Sequence, residues 1–171
     1  MQMVKPNLGS FLRLDDCRRF NERQRRNRME TTNIKAIKNL ATQFRKAIER
    51  CDLKNLPVTF DAFPLGSCGD TCILLGKWLE QNGYEDFDYV VGEREERSHA
   101  WLEKNGIIVD ITADQFDDKL PTVIVSHDHS WHSQFIEDER YPVADEWNVP
   151  DNLTQFEEMY NYIIRFVEEI E

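Results

Sequence analysis

Apolar residues recur along the chain at two different spacings, which predict helices and strands. From Thr31 the spacing is three to four residues, as on one face of an α-helix. The members of this face are Ile34, Ile37, Ala41, Phe44 and Ile48. A second helix is predicted from Cys68 to about Gln81, ended by Asn82-Gly83. Its buried positions are Cys72, Leu75, Trp78 and Leu79.

Shorter apolar runs lie between the second helix and the C-terminal region, and they predict β-strands. The predicted strands are residues 87–91, 98–103, 107–111 and 122–125. Residues 57–60 are predicted to be a further extended segment. A last amphipathic helix opens at residues 150–152, and its apolar face is Leu153, Phe156, Tyr160, Ile163, Phe166 and Ile170. Because the strands are consecutive in sequence, the fold class is predicted to be α+β with an antiparallel sheet.

Asn105-Gly106 separates two predicted strands and is typical of a two-residue type I′ hairpin turn. This turn would pair Lys104 with Ile107. Alternation of side chains would then place His99 and Asp110 as diagonal neighbours on one face, together with Trp101. The opposite, core-facing side would hold Ala100, Leu102, Val109 and Ile111. The alternative is that His99 and Asp110 are polar neighbours on a solvated face.

Composition favours a globular protein of 171 residues, 40% of them hydrophobic. No apolar run approaches the roughly 18 residues that span a bilayer, and the N-terminus lacks the apolar core of a secretory signal. The four cysteines are too sparse for a disulfide framework. We therefore expect a reduced, cytoplasmic protein with no membrane segment.

Charge is distributed unevenly along the chain. Residues 1–54 hold 14 Lys and Arg against 6 Asp and Glu, although the whole chain has a net charge of −11. We predict that residues 1–30 are a basic arm or solvated helix and that residues 31–171 are a single catalytic domain. The arm could contact nucleic acid through phosphates, but no aromatic platform accompanies it. The alternative is that it lies against the acidic part of the same chain.

Cys68 lies at the predicted start of a helix, where the dipole and free N–H groups favour a thiolate. Gly66 and Gly69 flank it and permit close approach of a substrate carbonyl. The backbone N–H of Cys68 would be one oxyanion donor. With His99 as general base and Asp110 as the orienting carboxylate, the chain has the parts of a thiol hydrolase.

A cysteine at a helix start, a His-Ala-Trp strand and an Asp at the end of the next strand resemble the transglutaminase-like branch of the papain-like cysteine hydrolases. The resemblance covers roughly residues 57–125. It implies that Cys68, His99 and Asp110 are nucleophile, general base and orienting acid. This superfamily includes transglutaminases, peptidases, peptide N-glycanases and glutamine deamidases, so the resemblance implies a mechanism more than a substrate.

The chain departs from the family at several positions near the nucleophile. Gly69 follows the nucleophile where transglutaminases commonly have Trp. No Gln precedes Cys68 by five to seven residues, so the second oxyanion donor is unassigned. Candidates for contacting the substrate or the oxyanion are Gly66, Gly69, Trp101, Gln115 and Trp131.

Three further segments have more than one interpretation. The loop containing His127, His129 and His132 could bind a transition metal, border the substrate site or simply be polar. Cys72 is predicted to be a buried apolar cysteine rather than a disulfide partner of Cys68. Residues 93–97 are predicted to be a solvated turn or a gate over the site.

Together these patterns predict a thiol hydrolase or acyltransferase that attacks an amide or thioester carbonyl, as a peptidase or glutamine deamidase. We expect a protein or peptide substrate, no cofactor and no resident metal. The alternative is an inactive relative that acts as a protein-binding or, less favoured, nucleic-acid-binding module. The sequence leaves the oligomeric state open.

Overall fold

A computed structural model describes residues 14–116 and 119–167 of the chain. Within these residues a five-stranded antiparallel sheet and several helices confirm the α+β class. The helices are α1 (Leu14–Arg50), α2 (Cys68–Gln81), α3 (Val143–Trp147) and α4 (Pro150–Ile163). The strands are β1 (Asp88–Arg94), β2 (Arg97–Lys104), β3 (Ile107–Asp110), β4 (Ile124–Ser126) and β5 (Ile136–Pro142). No helix of these residues is both long and apolar enough to cross a membrane.

The described residues divide into two compact units, the first ending at residue 33 and the second beginning at residue 34. In the first unit residues 14–33 are helical, so this part of the basic segment is a helix rather than extended chain. Helix α1 thus begins well before the predicted Thr31, because polar residues with high helix propensity precede its apolar face. Residues 1–13 of the predicted basic arm lie outside the described residues.

In the second unit α1 packs through the face that its spacing predicted. Ile37, Ala41, Phe44 and Ile48 are buried. The Phe44 ring stacks on Trp78 and Tyr160, with centroids 6.2 and 6.4 Å away. Helix α2 has the predicted bounds, and in α4 the predicted face is buried at Phe156, Tyr160 and Ile163. Phe166 lies in a 3-10 turn after α4, and Ile170 lies outside the described residues.

The sheet has the strand order β4-β3-β2-β1-β5. Lys104 pairs with Ile107 and Leu102 with Val109, which confirms the predicted hairpin register. Asn105 and Gly106 both have positive φ, 51° and 74°, as a type I′ turn requires. This register fixes which side chains of β2 and β3 share a face.

Both faces of the central strands are buried. On one face Ala100, Leu102, Val109 and Ile111 join the core built with the helices. On the other, a smaller aromatic cluster covers the sheet and consists of Val90, Trp101, Ile108, Phe116 and Phe135. The interpretation of this second face as solvated is therefore wrong, because residues from the segment between β3 and β5 pack over it.

The structure corrects one prediction outside the central hairpin and adds one strand. Residues 57–60 are not extended, because Val58–Phe60 forms a 3-10 turn with Phe60 buried. Strand β5 was not predicted, since its charged, mostly exposed residues show no apolar alternation. It pairs with β1 at the edge of the sheet, with an irregularity between Val91 and Gly92.

The turn between β1 and β2 is conformationally strained. Its central residues, Glu95 and Glu96, have φ of 52° and 61°, in a region that costs residues other than Gly and Asn about 1–2 kcal/mol each. We expect the double substitution E95N/E96G to raise the free energy of unfolding by about 1 kcal/mol. Urea denaturation measures this change. The matched variant N105A/G106A, in the hairpin between β2 and β3, should lower the free energy of unfolding. A change of the same sign in both variants would show that the positive φ at residues 95 and 96 is not the source of strain.

Candidate functional site

Cys68 is the first residue of α2, as its position in the sequence predicted. The preceding turn brings it there with Gly66 at a φ of 79°, a conformation that glycine adopts without strain. The buried Ser67 hydroxyl donates to Pro64 O over 3.0 Å, and Thr71 N donates to Ser67 O over 2.9 Å, closing the first helical turn. The half-buried Cys68 thiol therefore lies at the N-terminal end of a fourteen-residue helix.

His99 and Asp110 are in direct contact on adjacent strands. His99 Nε2 lies 2.6 Å from Asp110 Oδ2, and both side chains are fully buried. The other carboxylate oxygen accepts from Thr112, from its N–H at 2.8 Å and its hydroxyl at 3.2 Å. Since a carboxylate accepts, the His99 proton of this bond is on Nε2, which leaves Nδ1 available on the opposite side of the ring.

His132 makes a second imidazole contact with the same carboxylate oxygen. Its Nε2 lies 2.9 Å from Asp110 Oδ2, and the residue is 3% exposed. The other two histidines of the predicted loop face elsewhere, because His127 Nδ1 and His129 Nε2 both lie 2.9 Å from Gly106 O. The three loop histidines therefore do not converge on one point, and only His132 joins the candidate site.

Gln115 lies between the histidine and the helix start. Its Nε2 is 3.2 Å from His99 Nδ1 and donates to Thr112 O over 3.0 Å. Its Oε1 accepts from the Gly66 N–H at 3.4 Å. This amide therefore borders the turn before Cys68, as expected for a residue that lines the site.

Arg45 of α1 holds the segment that carries Gln115. Its guanidinium makes a bidentate ion pair with Asp114, at 2.8 and 2.9 Å, and also donates to Ile111 O. Arg45 is 5% exposed. Planar bidentate pairing of this kind fixes orientation as well as distance. No local sequence pattern indicates this pair, since the two residues are 69 positions apart.

The electrostatics of the site favour an ionised thiol. Burial raises the pKa of Cys68, but a hydrogen bond from His99, the His99 charge, the Ala100 N–H and the Gln115 amide lower it below its ordinary value. Burial lowers the pKa of His99, whereas the charge and hydrogen bond of Asp110, together with Cys68, raise it to about 9. The environment therefore stabilises a thiolate–imidazolium pair.

The carboxylate of the site stays ionised. Burial raises the pKa of Asp110, but the positive charge of His99 and hydrogen bonds from His132 and His99 hold it well below its usual range.

The second cysteine of α2 is in a different environment. Burial raises the pKa of Cys72 well above its ordinary value, with further increases from the charges of Asp110 and Cys68. Cys51, Cys68 and Cys72 are free thiols. Cys72 is therefore a buried apolar cysteine, as predicted.

The remaining predicted contact residues surround these groups. Trp101 and Trp131 have ring centroids 5.9 and 5.5 Å from the His99 ring. Trp101 Nε1 is buried and has no hydrogen-bond partner in the described part of the chain. A Cβ atom at Gly69 would lie 3.2 Å from the Tyr89 hydroxyl. The first turn of α2 therefore borders Tyr89, a residue that the sequence did not indicate.

Residues 93–97 meet the aromatic cluster rather than forming only a solvated turn. The Arg94 guanidinium lies 4.8 Å from the Phe135 ring centroid. Arg97 lies 4.2 Å from the Phe116 ring centroid and donates to Gln115 O over 3.4 Å. These cation–π contacts connect the end of the β1–β2 hairpin to the segment that borders Cys68.

Three of the described side chains have the types and the proximity that a metal ion could use. His99 Nε2, Asp110 Oδ2 and His132 Nε2 all lie within 4.8 Å of one another. However, both nitrogens are at hydrogen-bond distance from the carboxylate oxygen, so each carries a proton there. A metal ion would require both nitrogens to lose that proton. The hydrogen bonds account for the arrangement without an ion.

A cavity of about 250 Å³ lies elsewhere, between α2, the start of β1 and α3. Gly76, Lys77, Phe87 and Trp147 are among the residues that line it. None of its lining residues belongs to the cluster around Cys68. This cavity is therefore separate from the candidate site.

The described residues thus define an α+β protein in which a cysteine, two histidines, a carboxylate and an amide interact at one end of a helix. Comparison of the chain with protein-family models, with curated proteins and with solved structures found no match.

Proposed function

We propose that the protein is a thiol-dependent hydrolase or acyltransferase of papain-like, transglutaminase-like architecture that acts on an amide or thioester carbonyl. The observation that carries this proposal is the buried contact of His99 with Asp110, together with the lowered pKa of Cys68. Nε2 of the His99 ring lies 2.6 Å from Asp110 Oδ2, and the imidazole lowers the pKa of the thiol by its hydrogen bonding and its charge. A nucleophile, a base and an orienting acid in this order are the requirements of thiol hydrolysis.

The tautomer of His99 supports its role as the base. Because Nε2 donates to Asp110, the ring nitrogen left for the thiol is Nδ1. Gln115 Nε2 lies 3.2 Å from Nδ1 and also bonds the thiol, so Cys68, His99 and Gln115 form one contact group. In the thiolate–imidazolium pair Nδ1 already holds the thiol proton, and in the acylation step the thiolate Sγ forms a bond to the carbonyl carbon.

The resulting tetrahedral intermediate carries its negative charge on the former carbonyl oxygen. We assign the Cys68 backbone N–H as one oxyanion donor and the Gln115 amide as the second, since both border the sulfur. Collapse of the intermediate re-forms the carbonyl and breaks the bond to the leaving nitrogen, which takes the proton from His99. The acyl group is then held as a thioester on Cys68.

Water resolves the thioester in the hydrolytic reaction. His99 accepts one proton of water, the hydroxyl bonds to the acyl carbon, and the carbon–sulfur bond breaks as the thiolate recovers its imidazolium partner. A peptide leaving group gives proteolysis and ammonia gives glutamine deamidation, whereas an attacking amine in place of water gives transglutamination. A protein or peptide is the substrate class for all three outcomes.

Selective alkylation tests the nucleophile without knowledge of the substrate. At pH 6 we expect iodoacetamide to modify Cys68 at least about tenfold faster than Cys51 or Cys72, because of these three thiols only Cys68 has a lowered pKa. Peptide mapping by mass spectrometry measures each rate. The rate difference should disappear in urea, and the fast phase should be missing from C68S.

If Cys68 in the folded protein reacts no faster than Cys51, the enzyme proposal fails and the binding-module alternative takes its place. If it reacts faster, mass analysis of casein and of glutamine peptides after incubation separates the three outcomes. Cleavage, deamidation and crosslinking change the mass of the substrate differently. C68S is the matched control in each incubation.

A further inference from the structure

Asp110 has more hydrogen-bond donors than an orienting acid requires. Oδ1 accepts twice from Thr112, and Oδ2 accepts from both His99 and His132. One bond to the base is enough to orient it. The second imidazole on Oδ2 therefore needs an explanation of its own.

His132 is held in place independently of Asp110. It begins a 3-10 turn before β5, closed by a 3.0 Å bond from Phe135 N to His132 O. Its ring contacts Trp101 and Trp131, with centroids 5.1 and 4.8 Å away. Packing therefore holds the His132 ring in position even without its hydrogen bond to Asp110.

We infer that His132 is a positioning residue, which holds Asp110 Oδ2 towards the base through the 2.9 Å bond from its Nε2. This inference rests on the proposed function. During the reaction the His99 ring gains and loses a proton, so its attraction for Oδ2 changes at each step. The His132 bond does not change with that proton. It keeps the carboxylate, and through it the His99 ring, in one orientation.

The shared oxygen also divides the negative charge of Asp110 between two donors. Removal of the His132 donor leaves that charge to His99 alone, so the pKa of His99 should rise further. The same removal frees the carboxylate to rotate about the Thr112 bonds. A His99 ring that holds its proton more tightly but is no longer oriented with Nδ1 towards the sulfur stabilises the thiolate less. A loss of the donor therefore has two signatures, a higher pKa for His99 and a slower alkylation of Cys68.

Two substitutions separate donation from packing. H132F keeps an aromatic ring between the tryptophans but has no donor. H132Q keeps an N–H near the position of Nε2 but has no ring. We expect H132F to slow alkylation of Cys68 at pH 6 by about tenfold or more, as for other residues that orient a reacting group, and H132Q to recover to within about threefold of the parent.

The pKa of His99 is measured by NMR titration of histidine carbons in the C68A background. C68A/H132F should titrate at a higher pH than C68A, and C68A/H132Q at the same pH as C68A. This readout needs no enzymatic activity. An unreactive Cys68 in the wild type would therefore defeat the proposed function without affecting the titration result.

Two outcomes would overturn the assignment of His132. One is an unchanged His99 titration in C68A/H132F; the other is H132Q being as slow as H132F, which would mean that the ring only packs. If H132F does not fold, H132N replaces it, because its shorter amide cannot reach Oδ2. H132N should then be slow where H132Q is not, and equal rates would count against the inference.

Discussion

D110N should lower the turnover of any substrate by about ten-thousandfold and the rate of Cys68 alkylation at pH 6 by about a hundredfold, because a thiol whose pKa returns to about 8.5 is under about 1% ionised at that pH. An amide offers one acceptor where the carboxylate offers two. If its oxygen faces the two histidines, its NH₂ group opposes the Thr112 N–H. If it turns round, NH₂ faces His99 and moves the ring proton to Nδ1. In that tautomer Nδ1 donates and cannot accept the proton of Cys68.

T112V is the matched control for this prediction. It removes only the 3.2 Å hydroxyl bond to Asp110 and keeps the 2.8 Å bond from the backbone. Its alkylation rate should stay within about tenfold of the wild type, because the tautomer of His99 is unchanged. A D110N protein that folds and keeps a rate similar to that of T112V would show that Asp110 does not set the tautomer.

The free energy of unfolding should depend on pH, in a direction set by the shifted pKa values of His99 and Asp110. The pKa of His99 is raised from 6.5 to about 9, so its stabilisation is complete below pH 6.5 and is lost as the pH rises through 9. The pKa of Asp110 is lowered from 3.8, so its stabilisation is present above pH 3.8 and is lost in more acidic solution. The pair therefore stabilises the fold most between about pH 4 and 6.5.

A variant pair isolates the His99 contribution from the ionisation of Cys68. The free energy of unfolding of C68A should exceed that of C68A/H99Q at pH 6, and this difference should shrink by up to about 3 kcal/mol by pH 9.5. Urea denaturation at each pH measures it. H127Q, at an exposed histidine, serves as the control. A difference that is constant with pH would contradict the raised pKa of His99.

The central hairpin could be predicted from sequence because its determinants are local. Asn105-Gly106 specifies the turn, the turn specifies the register, and the register places His99 beside Asp110. The bounds of α2 follow in the same way from apolar spacing and from the Asn82-Gly83 terminus. These features depend on residues that are close together in the chain.

Other parts of the site depend on contacts that no local pattern encodes. His132 and Arg45 reach their partners across 22 and 69 positions. Strand β5 is an exposed edge, so its charged residues do not alternate with apolar ones. The Glu95-Glu96 turn adopts the same geometry as Asn105-Gly106 without the residues that would have indicated it.

The hairpin that joins His99 to Asp110 also has a consequence for the order of assembly. This contact closes a loop of only 11 positions, and closing a short loop loses little conformational entropy. Cys68 lies on a separate helix, which must pack against the strands after they have paired. We therefore expect the acid–base pair to form early in folding and the thiol to join it late. Mutations at position 68 would then leave the folding rate nearly unchanged.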